Sequence, residues 1–505
     1  MTFISPDEPN SLRWPRLYTA ELSRQIDAAA TAGGDPDGYR LMCRAGRSLA
    51  REVHRRWPDR PVSILCGAGN NAGDGYVLAR ELAAAGASPQ VIYVVDPAGL
   101  SGEAGQAVAD FLAAGLSAEA FDRDGTGITG EVLVDALLGT GLTREVSGAF
   151  AAAVELANRH PGPKLAVDVP SGLCADAGIV RGTAVRADVT LSFITRKRGL
   201  YTADGPDYGG QRLLDPLGVP DAVFDQFAAT GQLLNGRLVR ELLEPRAGNV
   251  HKGTHGRVLI VGGAPGMFGA AVLAGTAALR VGAGLVKLAV HPENVQRAAP
   301  PELMISAVAD AAALAPHLDA ADVVAVGPGL GTGDWGQQLW RCCLQSDRAL
   351  VVDADALNLL AAEPARRDNW ILTPHPGEAG RLLRRSTGAV QQDRFASAAA
   401  LVAELGGTAV LKGAGTIVAD AAGLDVCPLG NPGMATAGMG DVLTGTIAGL
   451  KGQRLGGAVE PPAPGAAARL GVVVHAAAGD LAARQGQRGL LAGDVVEQLR
   501  AVVNP

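Results

Sequence analysis

VSILCGAGNNAGDGYVLARELAAA, residues 62–85, decides the fold. The run Val62–Cys66 passes directly into Gly67-Ala-Gly-Asn-Asn-Ala-Gly-Asp-Gly75, and an Ala- and Leu-rich helical stretch follows. A strand feeding a glycine-rich turn and then a helix opens a parallel α/β sheet, and Gly67, Gly69 and Ala72 satisfy the G-x-G-x-x-G/A spacing of dinucleotide sites. Small residues let the backbone approach a phosphate, and the free N–H groups of a helix start attract it. Asp96, closing the next strand, stands where a ribose-binding acid would; the plainer alternative for the whole stretch is a glycine-rich strand–helix turn capped by Asp74.

The alternation continues downstream. Val91–Val95, Val132–Asp135, Leu165–Val169 and Val189–Phe193 read as buried strands, with helical periodicity over 75–85, 103–114 and 147–158. The pattern fades through Asp215-Pro-Leu-Gly-Val-Pro220 and then restarts. Arg257–Val261, Leu285–Val290, Val323–Val326, Leu350–Asp353, Trp370–Thr373 and Ala409–Lys412 read as further strands, and Met439–Leu450, Ala466–Arg484 and Gly493–Val502 as helices. The two halves share no repeat. The expected architecture is two three-layer α/β domains over 1–225 and 245–505, joined by a linker over 226–244.

Composition narrows the function. Forty-four Lys and Arg against 51 Asp and Glu leave a net charge of −7, which argues against a nucleic-acid or anionic-membrane partner. None of the six lysines precedes Ser or Thr, so no Walker A loop exists. The six cysteines include no C-x-x-C pair and the eight histidines no H-E-x-x-H, so a disulfide scaffold and a zinc site are not expected. Residues 1–14 lack the basic start and apolar run of an export leader, and the uncharged stretch Val258–Leu279 is broken by Gly262-Gly-Ala-Pro-Gly266. A cytoplasmic protein acting on small molecules is expected. Aromatics make up 4% of the chain, so its core should be Ala, Val and Leu with closely packed helices.

Two more strand ends in the first half carry chemistry: Asp135-Ala-Leu-Leu-Gly-Thr-Gly-Leu-Thr-Arg-Glu145 and Asp168-Val-Pro-Ser-Gly172. Ligands of open parallel sheets bind beyond the C-terminal ends of the strands. Asp168 suits proton management at a leaving group, and Asn71, Asp135 and Ser171 offer hard oxygen ligands to a cation. In the second half the strand ends carry Gly327-Pro-Gly-Leu-Gly331, Asp353-Ala-Asp355, Thr373-Pro-His-Pro-Gly-Glu378 and Lys412-Gly-Ala-Gly-Thr416. Gly430-Asn-Pro-Gly-Met-Ala-Thr-Ala-Gly-Met-Gly-Asp441 then precedes an apolar helix. Such a turn gathers N–H donors around a transferring phosphoryl group, and Asp441 is the candidate base for the attacking hydroxyl. Taken singly, Asp441 also suits ordinary capping, Lys412 a solvated strand end, and His375 the ordering of a loop.

Together these motifs resemble known families. Over about residues 15–220, G-x-G-N-N-x-G-D-G, D-A-L-L-G-T-G and D-V-P-S-G are similar to the NAD(P)H-hydrate epimerase family. That resemblance implies a Rossmann-like sheet with hydrate-binding positions at Asn70, Asn71, Ala72, Gly73 and Asp74, at Gly139, Thr140, Gly141, Leu142, Thr143, Arg144 and Glu145, and at Asp168. It implies potassium at Asn71, Asp135 and Ser171. Ala72 departs from the family's glycine and should tighten the phosphate loop. Over about 240–500, T-P-H-P-G-E, L-K-G-x-x-T and G-M-G-D resemble the ADP-dependent NAD(P)H-hydrate dehydratase family of the ribokinase-like superfamily. Lys412, Gly413, Ala414, Gly415, Thr416 and Gly440 would then hold the AMP part of ADP, the co-substrate, with Mg²⁺ on its phosphates. Ala270, Gly329, His375 and Asp441 would face the hydrated nicotinamide.

One chain with both matches resembles the bifunctional NAD(P)H-hydrate repair enzymes. The resemblance implies interconversion of the R and S hydrates of NADH or NADPH, dehydration of the S form with release of AMP and phosphate, and a homo-oligomer. The rival reading is a small-molecule kinase that leaves a stable phosphate ester and carries a regulatory N-terminal domain. A third reading makes the N-terminal half a binding module for nucleotide or a partner protein. The P-H-P-G-E setting of His375 favours repair over the kinase.

Overall fold

A computed structural model describes residues 15–504 apart from 35, 124, 126, 247 and 455–459. Residues 1–14, read above for an export leader, lie outside the described residues. The chain divides into two compact units, and the division falls between Gln232 and Leu233. The expected linker, 226–244, is shared between them. Gly231–Gln232 pairs with Arg16–Tyr18 in the first unit, while Leu234 and Val239, on or beside helix Arg237–Leu242, are buried in the core of the second.

In the first unit, Glu119–Ala120, Gln90–Tyr93, Val62–Cys66, Val132–Ala136, Lys164–Val167, Val189–Phe193 and Gln211–Asp215 lie side by side in that order, all parallel. The side-chain period of two sends alternate residues to opposite faces. Val62, Ile64 and Val134 join a core with Leu49, Val77 and Val108 from helices Gly38–Arg56, Asn70–Ala84 and Gly102–Ala113. Leu65, Ile92 and Leu133 face Val154 and Ala157 of helix Gly148–Arg159. These are the three expected layers. The chain runs outward from Val62–Cys66 on one side and then returns to Val132–Ala136 on the other, so a crevice opens between the C-terminal ends of these two strands.

Three features depart from the sequence reading. Helix Gly38–Arg56 was not expected; it buries Leu41, Ala45, Leu49 and Val53 behind an arginine-rich outer face. Strand Gln211–Asp215 extends the sheet where the pattern had faded, because a parallel edge strand needs less apolar cover. A short ribbon of Gly231–Gln232, Arg16–Tyr18 and Arg196–Lys197 forms a separate three-stranded sheet.

The second unit has nine strands. Met304–Ala307, Leu285–Val290, Arg257–Val261, Val323–Val326, Ala349–Val352, Trp370–Leu372 and Thr408–Leu411 are parallel, and Thr416–Asp420 with Gly423–Cys427 closes one edge antiparallel. The first strand and the last two were not foreseen: Met304–Ala307 is only partly buried, and the hairpin follows directly on a glycine-rich loop. The order reverses between Arg257–Val261 and Val323–Val326, which places a second crevice there. Val258–Leu279 is strand, turn and helix, as its glycines and proline predict. The helical run Pro464–Gln485 is long and apolar enough to cross a bilayer; its Leu470, Val473, Val474 and Ala478 are fully buried in this core. All six cysteines are free.

The low aromatic content is answered by close helix contact. Helix Met439–Lys451 lies so near helix Phe268–Arg280 that a Cβ on Gly445 would stand 1.9 Å from the Ala274 carbonyl oxygen. A close-packed interior has no slack for that methyl group. Gly445→Ala should therefore cost about 1–3 kcal/mol, read as a lower urea midpoint for the C-terminal unit; an unchanged midpoint would contradict this packing.

Candidate active sites

The first site begins with a backbone collision avoided. A Cβ on Gly67 would lie 1.8 Å from the Leu137 carbonyl oxygen, and Gly67 N donates to the Ala136 carbonyl at 3.1 Å. The two strand-end turns of the crevice are thus pressed together, and Gly69, at φ +77°, redirects the chain into a helix that starts at Asn70. Above them lies a cavity of about 700 Å³, lined by Asn70, Asn71 and Asp74 of the helix, by Gly139–Arg144 of the second turn, and by Asp168. Arg24 and Asp27 of helix Ala20–Thr31, with Lys197, complete one side.

Asp168 takes φ +66°, a left-handed conformation that is strained for a residue with a side chain. The turn is held by Ser192 Oγ, which donates to the Asp168 carbonyl at 2.6 Å, and by Phe193 N, which donates to Asp168 Oδ1 at 3.1 Å. Lys197 Nζ also donates to Oδ1, and to the Phe193 carbonyl at 2.9 Å. The lysine side chain is 3% exposed. Across the cavity, burial pushes the Asp74 carboxyl far up, Asp168 and Asp27 add to the shift, and Lys197 opposes it.

Beneath the second turn Asp135 is fully buried. Its carboxylate accepts from Ser171 Oγ at 2.6 Å, Ser171 N at 2.8 Å and Leu137 N at 3.2 Å. Burial raises Asp135 to about 6 in spite of these bonds, and no cationic side chain is among the groups that act on it. Asn71 is buried nearby with Nδ2 unpartnered, and a Cβ on Gly139 would touch Asn71 Oδ1 at 3.4 Å.

Several expected residues stand elsewhere. Ala72 is fully buried in the helical core, so its extra methyl packs inward and does not tighten the loop. Gly73 faces Met42 and Ala104, where a Cβ would meet Met42 Sδ at 2.6 Å. Glu145 is exposed outside the cavity lining. Asp74 lies within the helix and does not cap it. Asp96 is exposed and accepts from Ala98 N at 2.9 Å, its carboxylate serving a local turn.

In the second unit the turn after Arg257–Val261 repeats the first motif: a Cβ on Gly262 would lie 2.0 Å from the Pro328 carbonyl oxygen. Gly329, at φ +60°, sits against Met267 and Ala270, bringing two expected positions together. Lys412 Nζ lies 2.7 Å from Asp353 Oδ1 and 3.7 Å from Glu378 Oε2, and Thr444 Oγ1 donates to Asp353 Oδ2 at 2.8 Å. Burial works against both charges, but Asp353 and Glu378 hold Lys412 above its ordinary range and Lys412 holds Asp353 below. A Cβ on Gly440 would stand 3.3 Å from Lys412 Nζ and 3.4 Å from Asp353 Oδ2. The helix N-terminus therefore rests directly over this ion pair.

Asp441, in the first turn of that helix, is pushed up to about 6 by burial and by Asp353, against the pull of Lys412. Gly438, at φ +87°, makes the cap, so Asp441 does not. His375 caps helix Pro376–Leu382: its Nδ1 accepts from Gly377 N at 3.0 Å, while Glu378 Oε2 accepts from His375 N at 2.7 Å. Both the loop-ordering reading and the site reading of His375 have support, because its side chain is still 51% exposed. Loop 412–416 is anchored from below by Arg394, which is 1% exposed and donates to the carbonyls of Leu411 and Lys412, each at 3.2 Å.

Residues 258–501 match the NAD(P)H-hydrate dehydratase family, and residues 38–199 the YjeF-related protein N-terminus family. The bifunctional NAD(P)H-hydrate repair enzyme Nnr of Coxiella burnetii is 45% identical, over 97% of this chain and 99% of its own. That of Escherichia coli is 42% identical, over 92% and 90%. The chain belongs to the bifunctional NAD(P)H-hydrate repair enzymes. It joins an NAD(P)H-hydrate epimerase domain to an ADP-dependent NAD(P)H-hydrate dehydratase domain. A ribokinase-like superfamily protein of Enterococcus faecalis superposes on 55% of this chain and 97% of its own, with a TM-score of 0.50 and 27% identity.

In this repair enzyme the sequence motifs missed Asp27 and Lys197 in the epimerase cavity and Arg394 and Thr444 around the dehydratase ion pair. Asp353 and Glu378 were visible in the strand-end motifs; Arg394, in the first turn of helix Arg394–Leu405, carried no signal. A hydrogen bond from a charged donor contributes roughly 1.5–3 kcal/mol net. Arg394→Met should accordingly raise the KM for ADP about tenfold or more while epimerisation by the same chain is unchanged; an unaltered KM would remove the guanidinium from loop 412–416.

Proposed function

We propose that the cavity above Gly67 and Leu137 is the epimerase site and the Lys412–Asp353–Asp441 group the dehydratase site. Asn70, Asn71, Asp74, Gly139–Arg144 and Asp168 would bind the hydrated nucleotide. In the second site Gly413–Thr416 and Gly440 would receive ADP, and Ala270, Gly329 and His375 would border the hydrated nicotinamide. The C6 hydroxyl of the S hydrate attacks the β-phosphorus, Asp441 takes its proton, and AMP leaves. The phosphate then departs from C6 while a C5 proton is lost to solvent, and the C5–C6 double bond reforms, giving NAD(P)H. Water leaves such a ring poorly as hydroxide, which is why a nucleotide is consumed.

The observation that supports this reading best is the position of Gly440 over Lys412 and Asp353, with Asp441 beside it. A cation and free helix N–H groups then face the point where charge develops on phosphorus. Magnesium fits as a passenger on the diphosphate, where it would neutralise phosphate charge; Glu378, 3.7 Å from Lys412 Nζ, is the carboxylate that would hold it. Potassium fits beside Asp135, a buried carboxylate without a cationic partner, with Asn71 and Ser171 as its neighbours. Bound there it would balance the charge and firm the turn that lines the cavity. Small-molecule substrates, a homo-oligomer and a cytoplasmic setting complete the reading; light scattering that returned the mass of one chain would overturn the oligomer.

Three measurements test the sites. Asp441→Asn should cut phosphate release from S hydrate and ADP by about 10²–10⁴-fold with epimerisation intact; a stable phosphorylated product from wild type would instead reveal a kinase. Because Asp441 must be deprotonated to act, the wild-type dehydration rate should fall as pH drops below about 6. Exchange of potassium for tetramethylammonium should weaken epimerisation and spare dehydration, and potassium should restore it; equal rates in both salts would remove the cation from Asp135.

A further inference from the structure

The epimerase cavity gathers more acid than one proton transfer needs. Asp168 emerges from the strand Lys164–Val167, Asp27 from helix Ala20–Thr31 and Asp74 from helix Asn70–Ala84, and all three line the cavity with Lys197, whose ammonium contacts Asp168. The lysine does not treat them equally. Its Nζ bonds Asp168 Oδ1 and the Phe193 carbonyl, and its stem is buried. Its backbone belongs to the short strand Arg196–Lys197, in register with Leu17–Tyr18. Asp168, for its part, is turned to the lysine by a left-handed backbone that Ser192 and Phe193 hold in place. Two separately anchored segments thus meet in one ion pair on the cavity wall.

We propose that Lys197 is the positioning residue of the epimerase reaction: by pairing with Asp168 it selects that carboxylate as proton acceptor and leaves Asp74 as proton donor. The inference rests on the cavity being the epimerase site. Inverting C6 needs both roles. The C6 hydroxyl leaves as water with a proton from the donor, its C–O bond breaks, and the N1 lone pair forms a C6–N1 double bond. Water returns to the opposite face, a new C–O bond forms, the N1–C6 π pair goes back to nitrogen, and one proton passes to the acceptor. The hydrate's composition is unchanged, one proton has moved from donor to acceptor, and solvent resets the pair. Two ionised carboxylates could not supply the first step, and two protonated ones could not accept in the second. An ammonium bonded to one of them separates the roles, and the strongly raised Asp74 agrees with the division.

The full-length chain allows a clean test, because ADP-driven dehydration reports on the other domain. R-to-S conversion is followed by proton NMR across pH. The charged groups facing Asp168 are Lys197, Arg24 and Asp27 of helix Ala20–Thr31, Asp74 of helix Asn70–Ala84, Glu103 and Arg144; only the first is altered in the primary variant. Lys197→Met should lower kcat about 100-fold and move the acid limb of its pH profile up by about one unit or more, with dehydration unchanged. Lys197→Arg should return the limb to its wild-type position. A Lys197→Met enzyme whose limb does not move overturns the proposal, since a packing role would lower rate or stability alone. If that variant fails to fold, Asp74→Asn decides: loss of the alkaline limb supports the assignment, and an unchanged bell overturns it. Wild-type epimerisation by Asp168→Asn would instead sink the reading of the cavity itself.

Discussion

Both candidate-site crevices depend on the same steric constraint, a backbone carbonyl lying where a side chain would be. At the reversal point of the first sheet the Leu137 oxygen occupies the Cβ position of Gly67; at that of the second the Pro328 oxygen occupies that of Gly262. Gly327 repeats the relation with the Asp353 carbonyl, 1.8 Å from its missing Cβ. In each case two strand-end turns approach until their peptide groups touch, and whatever follows them in sequence is brought to one spot. Asp135, Asp168, Asp353 and Asp441 work from fixed positions because the turns beneath them cannot spread. The glycine-rich composition is a consequence of that approach, repeated at strand ends of two unrelated sheets.

On this base the two domains use a lysine–carboxylate pair in different ways. Lys412 and Asp353 are both deeply placed and hold each other charged, and the helix N-terminus at Gly440 lies over them. Lys412 is the one cation among the acids Asp353, Glu378 and Asp441, and of these Asp441 is left at a pH-sensitive value. Lys197 and Asp168 sit on the wall of an open cavity beside two further acids. No phosphoryl group is transferred there, and the pair serves to make neighbouring carboxylates unequal.

Much of this was legible in the sequence, for reasons that can be stated. The strands Val62–Cys66, Val132–Ala136, Arg257–Val261 and Val323–Val326 announce themselves because a parallel strand buried on both faces is an unbroken apolar run. The residues at their ends, Asp135 and the 139–144 turn, and Asp441 after a glycine-rich helix start, could be read because glycine beside acid at such turns has few other uses. Residues brought to the sites by distant packing could not. Lys197 reaches Asp168 from a ribbon whose other strands, Arg16–Tyr18 and Gly231–Gln232, lie far along the chain from the strand-end motifs, and Arg394 reaches loop 412–416 from the first turn of helix Arg394–Leu405. The reading of Ala72 as part of the phosphate loop failed because the helix begins two residues earlier and turns that methyl into the core. Asp96, read as a ribose ligand, instead serves a local turn through Ala98 N, whereas Asp74 lines the cavity with the other expected positions.

The ribbon that carries Lys197 has a consequence for the life of the molecule. Arg196–Lys197 is held on one side by Arg16–Tyr18, a strand near the very start of the chain, and that strand is in turn flanked by Gly231–Gln232. A protease cut after Tyr18, or a translation start beyond it, would strip the neighbour from the lysine while leaving the large parallel sheet and the whole second unit untouched. The product would be an enzyme biased toward one hydrate: still able to consume the S form, but dependent on slow spontaneous inversion for the R form. On the proposed role of Lys197, loss of residues 1–18 would convert a complete repair enzyme into a stereoselective one.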